Sequence, residues 1–136
     1  MSTKIKTASG WKTVANNSAF STLLTNAVTD ASAGATVPPF ATPVANMLKL
    51  GHFHLLPGTY LICLTVTCSI SSTEPGFVLR SPMYFISEGK YTNTVSAFAI
   101  QQINSERDVD ILITQGGTAS GTLDGLSITG TAARIG

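Results

Sequence analysis

Apolar and polar residues alternate along much of this chain with a period of two, which is the period of a strand half-buried in a sheet. The clearest run follows Pro57-Gly58. Tyr60, Ile62, Leu64, Val66, Cys68 and Ile70 form one row, and Leu61, Cys63, Thr65, Thr67 and Ser69 form the other. The first row is large and apolar and predicts a core face. The second is mixed and predicts a face half-buried or packed against a partner. Met47, Leu48, Leu50, Phe53 and Leu55 predict the strand before that turn. Phe77 to Ile86 reads as one later strand, with Pro82 marking an edge or a bulge. Tyr91 to Ile103 reads as another, with Val95, Ala97 and Ala99 on one side and Phe98 and Ile100 on the other. Val109 to Thr114 and Leu126 to Ile135 complete the series.

Turn residues separate these runs: Ser71 to Gly76, Ser87 to Lys90, Asn104 to Asp108, Gly116-Gly117 and Asp124-Gly125. No stretch carries a helical period with caps. About eight short strands at regular spacing predict an all-β, antiparallel sandwich or barrel.

The first 43 residues are looser. Trp11 to Ala15 and Phe20 to Leu24 are short strand candidates on either side of Asn16-Asn17. From Asn26 to Pro43 the chain is mostly Ala, Thr, Gly and Pro, including Pro38-Pro39. Such a stretch is either an arm lying along a neighbour or a crossover between sheets. The organisation expected is an N-terminal arm with edge strands over residues 1–43 and a core over 44–136, in one structural domain. Trp11, Phe20, Pro38, Pro39 and Phe40 lie outside the dense β region. They are candidate interface anchors, although Trp11 could equally cap its own sandwich.

Composition changes the picture most through what is scarce. Only 11% of the 136 residues are charged, against roughly a quarter in ordinary soluble domains. A free protein needs a charged skin, so much of this surface is expected to lie against other protein, including further copies of itself. The charges are scattered and sum to +1. No basic stripe exists to follow a phosphate backbone, which argues against nucleic acid as a partner. The uncharged run Leu50–Thr73 is broken by Pro57-Gly58 and is rich in β-branched residues, which argues against a membrane span. Charges at Lys4 and Lys6 occupy the place of a secretory h-region, so no leader is expected.

Candidate chemistry is thin. His52 and His54 would share one strand face, as in a His-x-His metal site. The next acid in the sequence is Glu74, and two imidazoles are too few for a tight site. No metal or other cofactor is expected. The pair reads instead as a polar or interface pair that would loosen on protonation below about pH 6.5. Asp108 and Asp110 would also share a face, as a solvated edge or as partners for Arg107. The chain has no nucleophile elbow, triad spacing or phosphate loop, so no enzymatic activity is expected. Cys63 and Cys68 would fall on opposite faces of one strand, unable to bridge, and are expected to be two buried, reduced thiols.

The segment Gly51-His52-Phe53-His54-Leu55-Leu56-Pro57-Gly58-Thr59-Tyr60-Leu61-Ile62 resembles a hallmark of C1q/TNF-like jelly rolls. The later order, through Val109-Asp110-Ile111-Leu112-Ile113 to a Gly-rich excursion and a closing strand, is similar too. The whole chain, short, poor in charge and rich in Ala, Thr, Ser and Gly, also resembles the jelly-roll cement or decoration proteins on the heads of tailed double-stranded DNA phages. That second resemblance implies a jelly-roll β-sandwich with an extended N-terminal arm. It further implies a place on the capsid exterior, assembly in the host cytoplasm, and cementing of neighbouring major capsid protein subunits. The first implies the alternative, a trimeric recognition module on a fibre or surface that binds a receptor or sugar.

Overall fold

The computed structural model describes residues 4–7, 10–13, 24–74, 76–81, 85–86 and 93–136. Apart from one 3-10 turn, Val44–Asn46, every regular element among them is a strand. Two short strands, β1 (Lys4–Thr7) and β2 (Gly10–Thr13), pair antiparallel with each other. Ten more form two antiparallel sheets. Sheet I contains β3 (Leu24–Asn26), β5 (Thr36–Val37), β7 (Gly58–Ser71), β10 (Thr94–Ile103) and β12 (Gly121–Arg134). Its order is β10-β7-β12-β3, with β5 also paired to β12. Sheet II contains β4 (Val28–Thr29), β6 (Leu48–Leu55), β8 (Phe77–Ser81), β9 (Phe85–Ile86) and β11 (Arg107–Gln115), in the order β4-β6-β11-β8-β9. The two sheets form a β-sandwich.

The core lies between them and is filled by alternate residues of each strand. From sheet I come Tyr60, Ile62, Leu64, Val66, Cys68, Val95, Ala97, Ile103, Leu123 and Ala132. From sheet II come Leu50, Phe53, Leu55, Leu79, Val109, Ile111 and Ile113. Phe53 is fully buried, and a side chain of that kind contributes about 1.5–3 kcal/mol by leaving water. The row Tyr60 to Cys68 is therefore the core face its alternation predicts, with Ile70 half-buried at its end.

Several expectations are corrected. Phe77 to Ile86 is two strands rather than one: β8 turns back and pairs with β9, Val78 opposite Ile86 and Leu79 opposite Phe85. Pro82, expected to mark an edge or a bulge, lies outside the described residues. Asp124-Gly125 is a bulge inside β12 rather than a turn, because the pairing with β7 runs on past it with a register shift. Cys63 is exposed and only Cys68 is buried, the direct consequence of alternation along β7. Burial pushes the Cys68 thiol up to about 12.

Within residues 24–43, three short strands join the sandwich and Val37 is buried in its core. β3 and β5 pair with β12, and β4 pairs with β6. The β4 pairing depends on Gly51. A Cβ there would stand 2.3 Å from the Val28 carbonyl oxygen, so only glycine allows the two backbones to approach this closely.

Candidate functional site

The two outer faces of the sandwich are built from different chemistry. On sheet II, alternation turns His52 and His54 outward from β6 while Phe53 points into the core. β11 runs antiparallel alongside, placing Asp110 opposite His52 and Asp108 opposite His54. Asp30 arrives just after β4, held by its N–H donating to the Leu50 carbonyl at 2.8 Å. These residues make two neighbouring ion-paired groups, Asp30, His52, Lys49 and Asp110 in one and His54 with Asp108 and Glu106 in the other. His52 Nδ1 is 2.6 Å from Asp30 Oδ2. Lys49 Nζ lies 3.4 Å from Asp110 and 3.8 Å from Asp30.

His54 is clamped at both nitrogens, with Nδ1 2.7 Å from Asp108 Oδ1 and Nε2 2.8 Å from Glu106 Oε1. Both nitrogens can donate at once only in the imidazolium. The bond to Asp108, then that to Glu106, raises the His54 pKa above its ordinary 6.5. The same bond to His54 holds the Asp108 carboxyl below its usual value.

This geometry corrects two expectations. Protonation tightens the contacts of His54 rather than loosening them, because its neighbours are carboxylates and not another cation. Asp108 and Asp110 engage His54 and Lys49 as ion-pair partners. The carboxylates come from residues 30, 106 and 108, distant in sequence from the histidines, so spacing along β6 could not reveal them. Chemically, His54 holds its proton more tightly than a free imidazole. With both nitrogens engaged, His54 has none left to take a proton from a nucleophile. Among the described residues, no group of three or more His, Cys, Asp or Glu is arranged to hold a metal ion.

Sheet I turns a neutral face outward. Its outward positions are Thr59 to Ser69 at alternate residues of β7, Thr94 to Gln102 at alternate residues of β10, Gly125 to Ala133 at alternate residues of β12, and Leu24 and Asn26 of β3. None is charged. Asp124, in the bulge of β12, borders this face and accepts a hydrogen bond from Ser71 Oγ. Hydroxyls satisfy one another across the strands: Thr65 with Ser96 and Thr67 with Thr94, each at 3.0 Å. Two apolar side chains stand clear of the surface, Phe98 at 77% and Ile100 at 68% exposure. Register extends them into a band: Ile100, Leu61, Ala133 and Leu24 lie side by side across four strands, with Phe98 and Cys63 beside them.

The expected anchors are dispersed. Pro38, Pro39 and Phe40 lie at the C-terminal end of β11, far along it from His52 and His54. The Gln115 N–H donates to the Pro38 carbonyl at 2.7 Å and the Phe40 N–H to Gly117 at 2.9 Å. Arg80 stacks over the Phe40 ring at 5.0 Å and donates to its carbonyl. Pro39, Phe40 and Ala41 line a cavity of about 310 Å³ with Gly116, Gly117 and Thr118. Next to it, Glu74 clasps the loop between β11 and β12, accepting from the Ala119 N–H at 2.9 Å and from Thr118 Oγ1 at 3.2 Å. The Ala119 bond chiefly lowers the Glu74 pKa. Trp11 lies on β2, opposite Lys6 in register, and Phe20 lies outside the described residues.

Phe98 and Ile100 are absent from the anchors expected from sequence, although their shared side of one strand was readable. The missing signal was the uncharged row beside them, which only the strand register assembles. No helix among the described residues is long and apolar enough to cross a membrane. No family model, curated protein or solved structure matches the chain.

Proposed function

We propose that this protein is a structural virion component, a cement protein that binds the outside of a phage head and bridges neighbouring major capsid protein subunits. It acts without catalysis or cofactor, associates with further copies of itself, and engages neither nucleic acid nor membrane. The observation that carries this reading is the neutral outer face of sheet I with its apolar band. A sheet face without charge gains by being covered. A shell lattice repeats each contact many times, so modest individual interfaces add up to firm attachment.

The strand orders support a jelly roll. Successive long strands alternate between the two sheets: β6 in sheet II, β7 in I, β8 in II, β10 in I, β11 in II and β12 in I. Such alternation is how a jelly roll wraps its chain. In this reading residues 1–43 are the N-terminal arm with its edge strands, and its strands β3, β4 and β5 also serve the sandwich.

The test is to add purified protein to heads that lack it. Saturable binding at a fixed ratio to the capsid protein, with a higher temperature of head rupture, is the expected result. Heads that bind none overturn the reading. The alternative, a C1q/TNF-like trimeric recognition module, is favoured by the ion-paired face of sheet II, which could read a polar ligand; a stable trimer that ignores heads would support it.

A further inference from the structure

We propose that two copies of this chain join through the edge of β10 that faces away from β7, continuing sheet I across a two-fold axis. β10 ends the sheet. From Thr94 to Ile103 it pairs with β7 residue for residue, without a bulge. Its other edge meets no strand among the described residues. Alternate backbone N–H and C=O groups along ten residues therefore point outward, ready to pair.

The remaining edges of the sandwich contrast with it. β4 and β9 flank sheet II with two residues each, and the far side of β12 carries β3 and β5, of three and two residues. Short edge strands, lysines, prolines and bulges are the usual protections against edge pairing. β10 has none of them. It reads Thr-Val-Ser-Ala-Phe-Ala-Ile-Gln-Gln-Ile, long, regular and uncharged.

The occupant that fits is the same strand from a second copy. Antiparallel pairing of a strand with itself is isologous and closes at two. Neutral meets neutral, whereas a charged partner would find nothing to pair with. A ten-residue antiparallel ladder is about 34 Å long and supplies about ten backbone hydrogen bonds, the number found in a stable interface of standard size. Phe98 and Ile100, on the outward side of this strand, then gain apolar neighbours from the partner's β10. The inference rests on the self-association in the reading above and not on the shell.

Sedimentation equilibrium and amide hydrogen exchange on the full chain test it together. The expected result is a dimer in which the amides of residues 94–103 exchange more slowly as concentration rises. Phe98→Lys, and separately Ser96→Lys, should each leave the circular dichroism spectrum intact. Phe98→Lys should weaken the dimer at least ~30-fold by removing an apolar anchor and setting like charges near each other. Ser96→Lys should weaken it in the same direction. A monomer at every concentration, a trimer, a dimer whose β10 amides are indifferent to concentration, or a dimer that both variants leave unchanged overturns the proposal. A monomer that still binds heads overturns this inference alone. A dimer that ignores heads overturns the cement reading and leaves the edge pairing standing.

Discussion

The outer faces of the two sheets divide the charges of the described residues very unequally. Sheet II carries Asp30, Lys49, Glu106, Asp108 and Asp110 with both histidines, and every one has a partner. Sheet I carries hydroxyls, an apolar band and no charge at its outward positions. Both faces are held by the same core and the same ladder geometry, so fold stability does not require the difference. The lesson is that low overall charge here is an arrangement more than a dilution. One face is made compatible with water by ion pairs, and the other is left fit for contact with protein. The average composition conceals both.

The comparison can be broken first at its scaffold. Gly51→Ala would push a methyl group against the Val28 carbonyl and force β4 off β6. Asp30 would leave with it, stripping His52 and Lys49 of a partner. The expected loss is about 3 kcal/mol, toward the upper end for a single substitution because backbone has to move, and urea unfolding measures it. The amides of β7 and β10 should keep their exchange order, since sheet I does not depend on β4. Equal loosening of both sheets would show that the faces are not separable.

A charge placed on the neutral face sharpens the contrast. Leu61→Asp sets a carboxylate in the middle of the band, flanked by Ile100 and Ala133. Leu61 is partly exposed on an outer face, so the fold should survive. On the proposed cement role, attachment to heads should fall ~100-fold, the effect of losing an anchor residue worth about 2.7 kcal/mol. Asp110→Asn on the other face changes charge by one unit in the opposite sense and should leave attachment within about threefold of the parent, the scale of an exposed ion pair. Co-sedimentation of the two variants with heads, side by side, decides whether the faces differ in role.

Much of this architecture is legible in the sequence because alternation is a local property. The burial of Tyr60, Ile62, Leu64, Val66 and Cys68 follows from their spacing, and the side shared by Phe98 and Ile100 follows likewise. What alternation cannot give is partnership between strands. Nothing along the chain says that Asp30 will meet His52, or that Ile100, Leu61, Ala133 and Leu24 will fall in one row, since these depend on register between distant segments. The Ala- and Pro-rich stretch 26–43 hid its strands for a related reason. β4 and β5 are two residues each, too short to show any period, and are fixed by the strands they flank. Asp124-Gly125 misled because a bulge and a turn use the same residues.

The smallest expected effect is the most specific to sheet II. His54 is held between Asp108 and Glu106, and its pKa is raised above 6.5. A raised folded value means that the stabilisation is complete below about pH 6.5, where the free imidazole is charged as well. It is lost as pH rises through the raised value. Asp108, lowered below 3.8 by the same contact, contributes above that value and loses its contribution as pH falls through its own lowered value. The clamp is therefore complete from about pH 4 to 6.5 and fades on either side. The urea midpoint should be slightly higher at pH 5.5 than at pH 8.5, and salt should shrink the gap because the pair is exposed. By proton NMR, His54 should titrate above 6.5, and Asp108→Asn should bring it down and narrow the pH gap. Leu61→Asp should not move the His54 titration, since it lies on the opposite sheet. A His54 that titrates at or below 6.5 in the parent protein would mean that the clamp does not hold in solution, and the division of the molecule into an ionised face and a neutral one would lose its best-defined contact.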